Sequence, residues 1–147
     1  MIFAALGLVE GEAEGALAFW HAPLSFWGGY DSATGRVIDR THPAFGEIMA
    51  GRIVVMPSGR GSSSASSVLA EAIRLGTAPA AILLGAPDPI IAVGAIVARR
   101  LYGKVCPVAA CEAATLAGLS EGTLVRLVVE RDRLEVSVDS VASTPCS

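Results

Sequence analysis

The sequence predicts one mixed α/β domain in which apolar strands alternate with amphipathic helices before the chain finishes in a β-hairpin. Three observations predict it. Between Arg52 and Ala109, short apolar runs alternate with longer stretches of helical periodicity. From Thr123 to Val138 the pattern becomes an every-second-residue alternation around Arg131-Asp132-Arg133. Finally, 52% of the 147 residues are hydrophobic, with no linker or internal repeat, which is enough apolar material for a single core.

Taken in order, Ala13 to Trp20 reads as a strand, and Ala22 to Asp31 as a loop with three aromatic residues and the pair Gly28-Gly29. Arg36 to Asp39 is a short extended piece after the Thr34-Gly35 turn. Arg52 to Met56 is a strand, and Ser64 to Leu75 a helix closed by Gly76. Ala80 to Leu84 is the next strand. Pro89 to Tyr102 is a second helix with proline near its first position and Gly103 after its end, and Val105 to Ala109 a third strand. Strands separated by helices imply parallel pairing with right-handed crossovers. A brief helix over Ala113 to Leu116 precedes the hairpin strands, Thr123 to Glu130 and Leu134 to Val138. In sum, the reading is a β/β/α domain with a mixed sheet.

Composition narrows the function classes. Charged residues make up 17%, below the roughly 25% usual for soluble domains, and mean hydropathy is +0.57. Either apolar surface meets a partner, or the chain is an alanine-rich product of a GC-rich genome. The most apolar stretch, Ala78 to Ala98, is interrupted by Gly85, Pro87, Asp88, Pro89 and Gly94, so it divides into strand, turn and helix and is no membrane span. Met1 to Gly7 has neither a basic flank nor a cleavage pattern, so the expected location is cytoplasmic. With a net charge of −3 and no Lys/Arg cluster, nothing marks a nucleic-acid partner. Arg99, Arg100 and Lys104 suit the basic end of a helix. Cys106, Cys111 and Cys146 are odd in number and form no Cys-x-x-Cys pair, so no disulfide framework and no metal site of this chain's own is expected. Of His21 and His42, the latter, in a loop before Pro43, is the better candidate to face a ligand, although a structurally bonded histidine is the commoner case.

The residues that carry chemistry are Gly59-Arg60-Gly61-Ser62-Ser63-Ser64-Ala65-Ser66-Ser67, between the strand ending at Met56 and the helix ending at Leu75. Gly59 and Gly61 lack a Cβ, so their backbone can approach a ligand, and the unpaired amides of the helix N-terminus favour an anion. Ser62, Ser63 and Ser64 would surround it with hydroxyls, and Arg60 adds a guanidinium suited to an oxyanion. A plain capped loop is the competing reading. The spacing fits neither a P-loop nor a Gly-x-Ser-x-Gly elbow. Phe26, Trp27 and Tyr30 either line a pocket, pack internally or meet another subunit, and Asp31, Arg36, Asp39, Arg40 and His42 either form a shell near the site or a solvated connection.

Pro23-Leu24-Ser25-Phe26-Trp27-Gly28-Gly29, Gly35 to Asp39, Pro57 to Ser64 and Gly94 to Ala98 resemble, in order and spacing, the small subunit or swivelling domain of the aconitase X dehydratases. The resemblance covers roughly residues 5 to 140 and implies a swivelling β/β/α fold for the single domain 1–147. It implies a larger partner, the aconitase X large subunit, which holds an iron–sulfur cluster or iron centre. By the same resemblance Ser62 matches the superfamily's catalytic base. The wider aconitase pattern has a carboxylate-binding arginine where this chain has Ser64, and its own arginine comes earlier, at Arg60. Arg60, Gly61, Ser63 and Ser64 are therefore expected to hold the substrate without a direct correspondence.

The implied chemistry is dehydration of a small hydroxy acid, which needs a base on one carbon and a Lewis acid for the departing hydroxyl. The family offers two substrates, cis-3-hydroxy-L-proline and 5-phosphomevalonate, and the Phe26 to Gly29 and His42-Pro43 variants look more like the hydroxyproline branch. A non-catalytic anion-binding module and a scaffold whose serines only cap a helix remain the readings from other classes.

Overall fold

A computed structural model describes residues 1–138; Cys146 and the end of the expected 1–147 domain lie outside the described residues. The strands are β1 (Ile2–Ala4), β2 (Leu6–Val9), β3 (Gly11–Phe19), β4 (Tyr30–Asp31), β5 (Arg36–Val37), β6 (Ile53–Met56), β7 (Ala81–Leu84), β8 (Val108–Ala110), β9 (Leu124–Val129) and β10 (Arg133–Val138). The helices are α1 (Phe26–Gly29), a distorted single turn, α2 (Ala65–Leu75) and α3 (Pro89–Tyr102), with a 3-10 turn at Ala113–Leu116.

Eight strands pair in the order β1-β10-β9-β3-β6-β7-β8-β2, while β4 and β5 form a separate small hairpin. Strands β3, β6, β7 and β8 run parallel, in register Leu17 to Ile53 and Val54 to Ile82 to Val108. The other ladders, β1-β10, β10-β9, β9-β3 and β2-β8, are antiparallel. The nine residues of β3 are long enough to serve both kinds: its first part pairs with β9 and its last with β6.

Alternation along the parallel strands builds two cores. Val54, Met56, Ile82, Leu84 and Val108 point toward α2 and α3 and meet Leu69, Ile73, Ile91 and Ala95. Ile53, Ala81, Leu83 and Ala109 point the other way and meet Val125, Leu127, Leu134 and Val136 of the hairpin. The result is sheet on sheet on helices, the β/β/α order the pattern predicts. Burial on both faces also explains why β6 and β7 read as unbroken apolar runs.

Both helices end on left-handed glycines, Gly76 with φ 79° and Gly103 with φ 67°, and α3 starts with Asp88 capping and Pro89 inside the first turn. Most boundaries differ from expectation by one or two residues, β3 for instance running Gly11–Phe19 and not Ala13 to Trp20. Helix α2 starts at Ala65, one residue after Ser64; β8 starts at Val108, although the Pro107 carbonyl already accepts the Ile82 N–H at 3.0 Å; and the brief helix is 3-10. Strands β1 and β2 were not predicted at all. Among the described residues, no helix is long and apolar enough to cross a membrane.

Candidate functional site

All four parallel strands end at one edge, and the serine-rich turn leaves that edge from Met56 at the end of β6. Ligands of open α/β sheets bind at such carboxyl ends. Residues Arg60 to Ser64 are exposed. The turn is held by what its two glycines leave room for. A Cβ on Gly59 would overlap Asp88 Oδ2 and Ile91 Cδ1, and one on Gly61, whose φ is +98°, would overlap Ser25 Oγ. The backbone of the turn is thus wedged at its two glycines between the cap of α3 and the Ser25 turn.

Within the turn, Ser62 and Ser66 use their side chains differently. Ser62 Oγ accepts a hydrogen bond of 3.1 Å from the Ser64 N–H, and Ser62 O accepts the Ala65 N–H at 3.0 Å. Ser62 therefore caps α2, whereas Ser64, already in helical conformation with φ −64° and ψ −14°, makes no side-chain cap bond. Ser66 turns inward and donates to Ile90 O at 2.6 Å, tying α2 to α3. No acceptor within the described residues takes the backbone N–H groups of Gly61, Ser62 and Ser63. An oxygen that accepts an amide at the positive end of an eleven-residue helix is stabilised in a more anionic form, and the three unpartnered amides of the same turn are available to an oxyanion.

Arg60 does not lean on the serines. Its Nη2 lies 4.0 Å from Asp39 Oδ2 and its side chain is 59% exposed. Asp39 is itself fixed by Thr41, whose hydroxyl donates at 2.7 Å and whose N–H donates at 2.9 Å to Oδ1. Those bonds first, and the Arg60 charge after them, hold the Asp39 carboxyl below its usual range. Of the charged residues after the aromatic loop, Asp39 is the one brought to the site. Asp31 accepts from Ala33 and Thr34 in its own loop, and Arg36 donates to Gly46 O.

His42 is structural. Its Nδ1 accepts the Ala44 N–H at 3.0 Å, which leaves the proton on Nε2, 3.3 Å from Ala22 O, and the ring stands edge-on to Trp20. Burial lowers its pKa, against opposing pulls from the Ala22 carbonyl and Asp39. The aromatic loop divides. Phe26 and Tyr30 are buried against each other, with Tyr30 Oη donating to Thr77 O at 2.6 Å, while Trp27 is 59% exposed.

Two cavities open at this edge. One, of about 330 Å³, lies between Ser58-Gly59-Arg60-Gly61 and the start of α3, with the Asp88 carboxylate inside it. Asp88 Oδ1 accepts from Ile90 N at 2.8 Å and Ile91 N at 3.4 Å, so the anion at this helix end is the protein's own. The other, of about 230 Å³, is a mainly apolar hollow between the ends of β3, β6, β7 and β8. Among the described residues, no group of three or more His, Cys, Asp or Glu is placed to hold a metal ion. Burial pushes the Cys106 thiol up to about 12, and its Sγ is 3.4 Å from Pro79 O.

Sequence reasoning missed Asp88 and Ser25 as the groups that seat the turn. Asp88-Pro89 before an apolar helix is itself a cap signature, but nothing local says that its second oxygen backs Gly59.

The family model described as aconitase X swivel domain matches residues 2–136. Cis-3-hydroxy-L-proline dehydratase of Pseudomonas aeruginosa is 53% identical over 102 residues, 69% of this chain but 18% of that protein. The phosphomevalonate dehydratase small subunit of Methanothermobacter thermautotrophicus is 44% identical over 89 residues, 60% of this chain and 68% of that one. Among solved structures, Thermococcus kodakaraensis aconitase X in its holo-form superposes with a TM-score of 0.79 at 31% identity, covering 93% of this chain and 98% of that chain. The chain thus spans less than a fifth of the hydroxyproline dehydratases it matches.

Proposed function

The chain belongs to the aconitase X swivel-domain family, and on that premise we propose that it is the swivelling part of a hydro-lyase that dehydrates cis-3-hydroxy-L-proline to a pyrroline-2-carboxylate. The single observation that carries the reading is the exposed Ser62 Oγ. It sits at the carboxyl edge of the parallel strands, accepts the Ser64 amide, and belongs to a turn in which the N–H groups of Gly61, Ser62 and Ser63 have no acceptor among the described residues.

Ser62 takes the proton from the carbon next to the substrate carboxylate. The electron pair of that C–H bond forms the new double bond, and the hydroxyl on the neighbouring carbon leaves with the C–O pair. A free serine is a poor base, so the Ser64 N–H and the N-terminal end of α2 favour its alkoxide-like form. The open amides of Gly61 and Ser63 receive the carboxylate, with the Ser63 and Ser64 hydroxyls beside them, and the Arg60 guanidinium, positioned by Asp39, adds its charge. The Lewis acid for the leaving hydroxyl is assigned to an iron–sulfur cluster or iron centre on the aconitase X large subunit.

The identity to the Pseudomonas dehydratase favours the hydroxyproline substrate. The alternative is dehydration of 5-phosphomevalonate as a small subunit, favoured by the greater share of those relatives that the chain covers. The test is anaerobic reconstitution with the larger chain, offering both compounds to wild type and Ser62→Ala. Turnover of cis-3-hydroxy-L-proline that disappears in the variant is expected; turnover of 5-phosphomevalonate alone would move the assignment to the alternative. Undiminished activity of Ser62→Ala would reduce the serines to a cap.

A further inference from the structure

The hollow between the strand ends takes no part in the chemistry above, yet it lies next to it. Pro57 lines this hollow and the following residue, Ser58, lines the cavity beside the serine turn. Its walls are Phe19, Trp20, Met56, Pro57 and Leu84, with His21 and Glu112 as its ionisable groups and Cys111 half-buried in its lining. The larger part of a hydroxyproline dehydratase, more than four-fifths of the Pseudomonas protein, has no counterpart in this chain. To bring a substrate to Ser62, that body has to cover the edge from which the turn projects, and a body of that size over Ser58 to Ser64 also covers Pro57.

Resting on the reading of Ser62 as a base that works against a larger chain, we propose that this hollow is an anchor pocket. It receives one aromatic or branched aliphatic side chain of the aconitase X large subunit. A volume of about 230 Å³ with apolar walls suits a single bulky side chain better than a polar one. Its seat on the ends of β3, β6, β7 and β8 makes it rigid, because each of those ends is laddered to a neighbour in the parallel sheet. A rigid pocket beside the serine turn would fix the distance between the two halves of the active site at closure.

Cys111 reports on the pocket directly. In a Cys146→Ser background, with Cys106 buried, maleimide labelling of Cys111 is followed in the free chain and in the complex with the large subunit. Labelling is expected to slow at least tenfold on assembly. Cys111→Trp, which fills the pocket from within, is expected to weaken binding of the large subunit by about thirtyfold or more, the loss of one anchor contact. Circular dichroism of the free variant checks that it folds, and the labelling experiment stands without it. An active complex in which Cys111 labels at the free rate overturns the anchor pocket and leaves the proposed reaction untouched. Failure of the two chains to associate at all overturns both.

Discussion

Two turns leave the same edge of the sheet and enter helices of similar kind, yet they settle their helix ends in opposite ways. After β7, the turn Gly85 to Asp88 supplies its own anion: Asp88 Oδ1 accepts both first-turn amides of α3. After β6, the turn Pro57 to Ser64 supplies one neutral oxygen, Ser62 Oγ, and leaves the amides of Gly61, Ser62 and Ser63 without a partner. The first turn is complete as it stands, and the second leaves three amides open where the proposed substrate carboxylate would sit. Open amides at one helix start, beside a second start that the chain caps fully, are what the proposed binding role of the serine turn rests on.

The sharpest way to break that contrast is Ser62→Ala in the assembled enzyme. Turnover is expected to fall by about 10²–10⁴-fold, the range for loss of a positioned base, while thermal unfolding shifts by only the ~1 kcal/mol of a lost cap. Equal losses in stability and none in turnover would make the two turns alike. Next comes Gly61→Ala, which forces a Cβ onto a left-handed residue and into Ser25 Oγ. We expect about 2–4 kcal/mol of destabilisation in urea melts from the combined backbone and overlap costs.

Asp88→Ala should cost about 1 kcal/mol through loss of the α3 cap, and Asp88→Asn less, with turnover retained once the protein is folded. A collapse of turnover in folded Asp88→Asn would give the second turn a catalytic share. The smallest effect concerns the loop that carries Asp39. His42 is held neutral, with its pKa lowered by burial. Below its ordinary value of about 6.5 the unfolded chain therefore binds a proton that the folded chain refuses. Stability falls as pH drops through that value. Melting temperatures from about pH 7.5 to 5 should show this fall in wild type and less of it in His42→Gln.

What could be read from the sequence follows from burial. Strands β6 and β7 stand between two cores, so all positions are apolar and the runs are unmistakable. The hairpin β9-β10 buries one face and alternates. Strands β1 and β2 have three and four residues, are exposed or half-buried except at Val9, and change partners between Ala4 and Leu6, so neither period can develop. The serine turn was legible as a strand-to-helix junction rich in hydroxyls. The division of labour within it was not. That Ser62 caps while Ser66 ties down α3, and that Gly59 and Gly61 are bare because Asp88 and Ser25 press on them, are contacts between distant parts of the chain.

The partner change between β1 and β2 has one more result. Met1 to Val9 runs along β10 and then along β8, the strands that would otherwise be the edges of a six-stranded sheet. Its own outer hydrogen-bonding rows are only three and four residues long, and part of them is filled, since the Gly7 N–H donates to Arg131 O at 3.0 Å and the Ala5 N–H to Asp132 O at 3.3 Å. A sheet with so short a row of open backbone groups gives a neighbouring molecule little to zip onto. For a chain this apolar, colloidal stability at high concentration therefore depends on the segment whose local sequence signal is among the weakest.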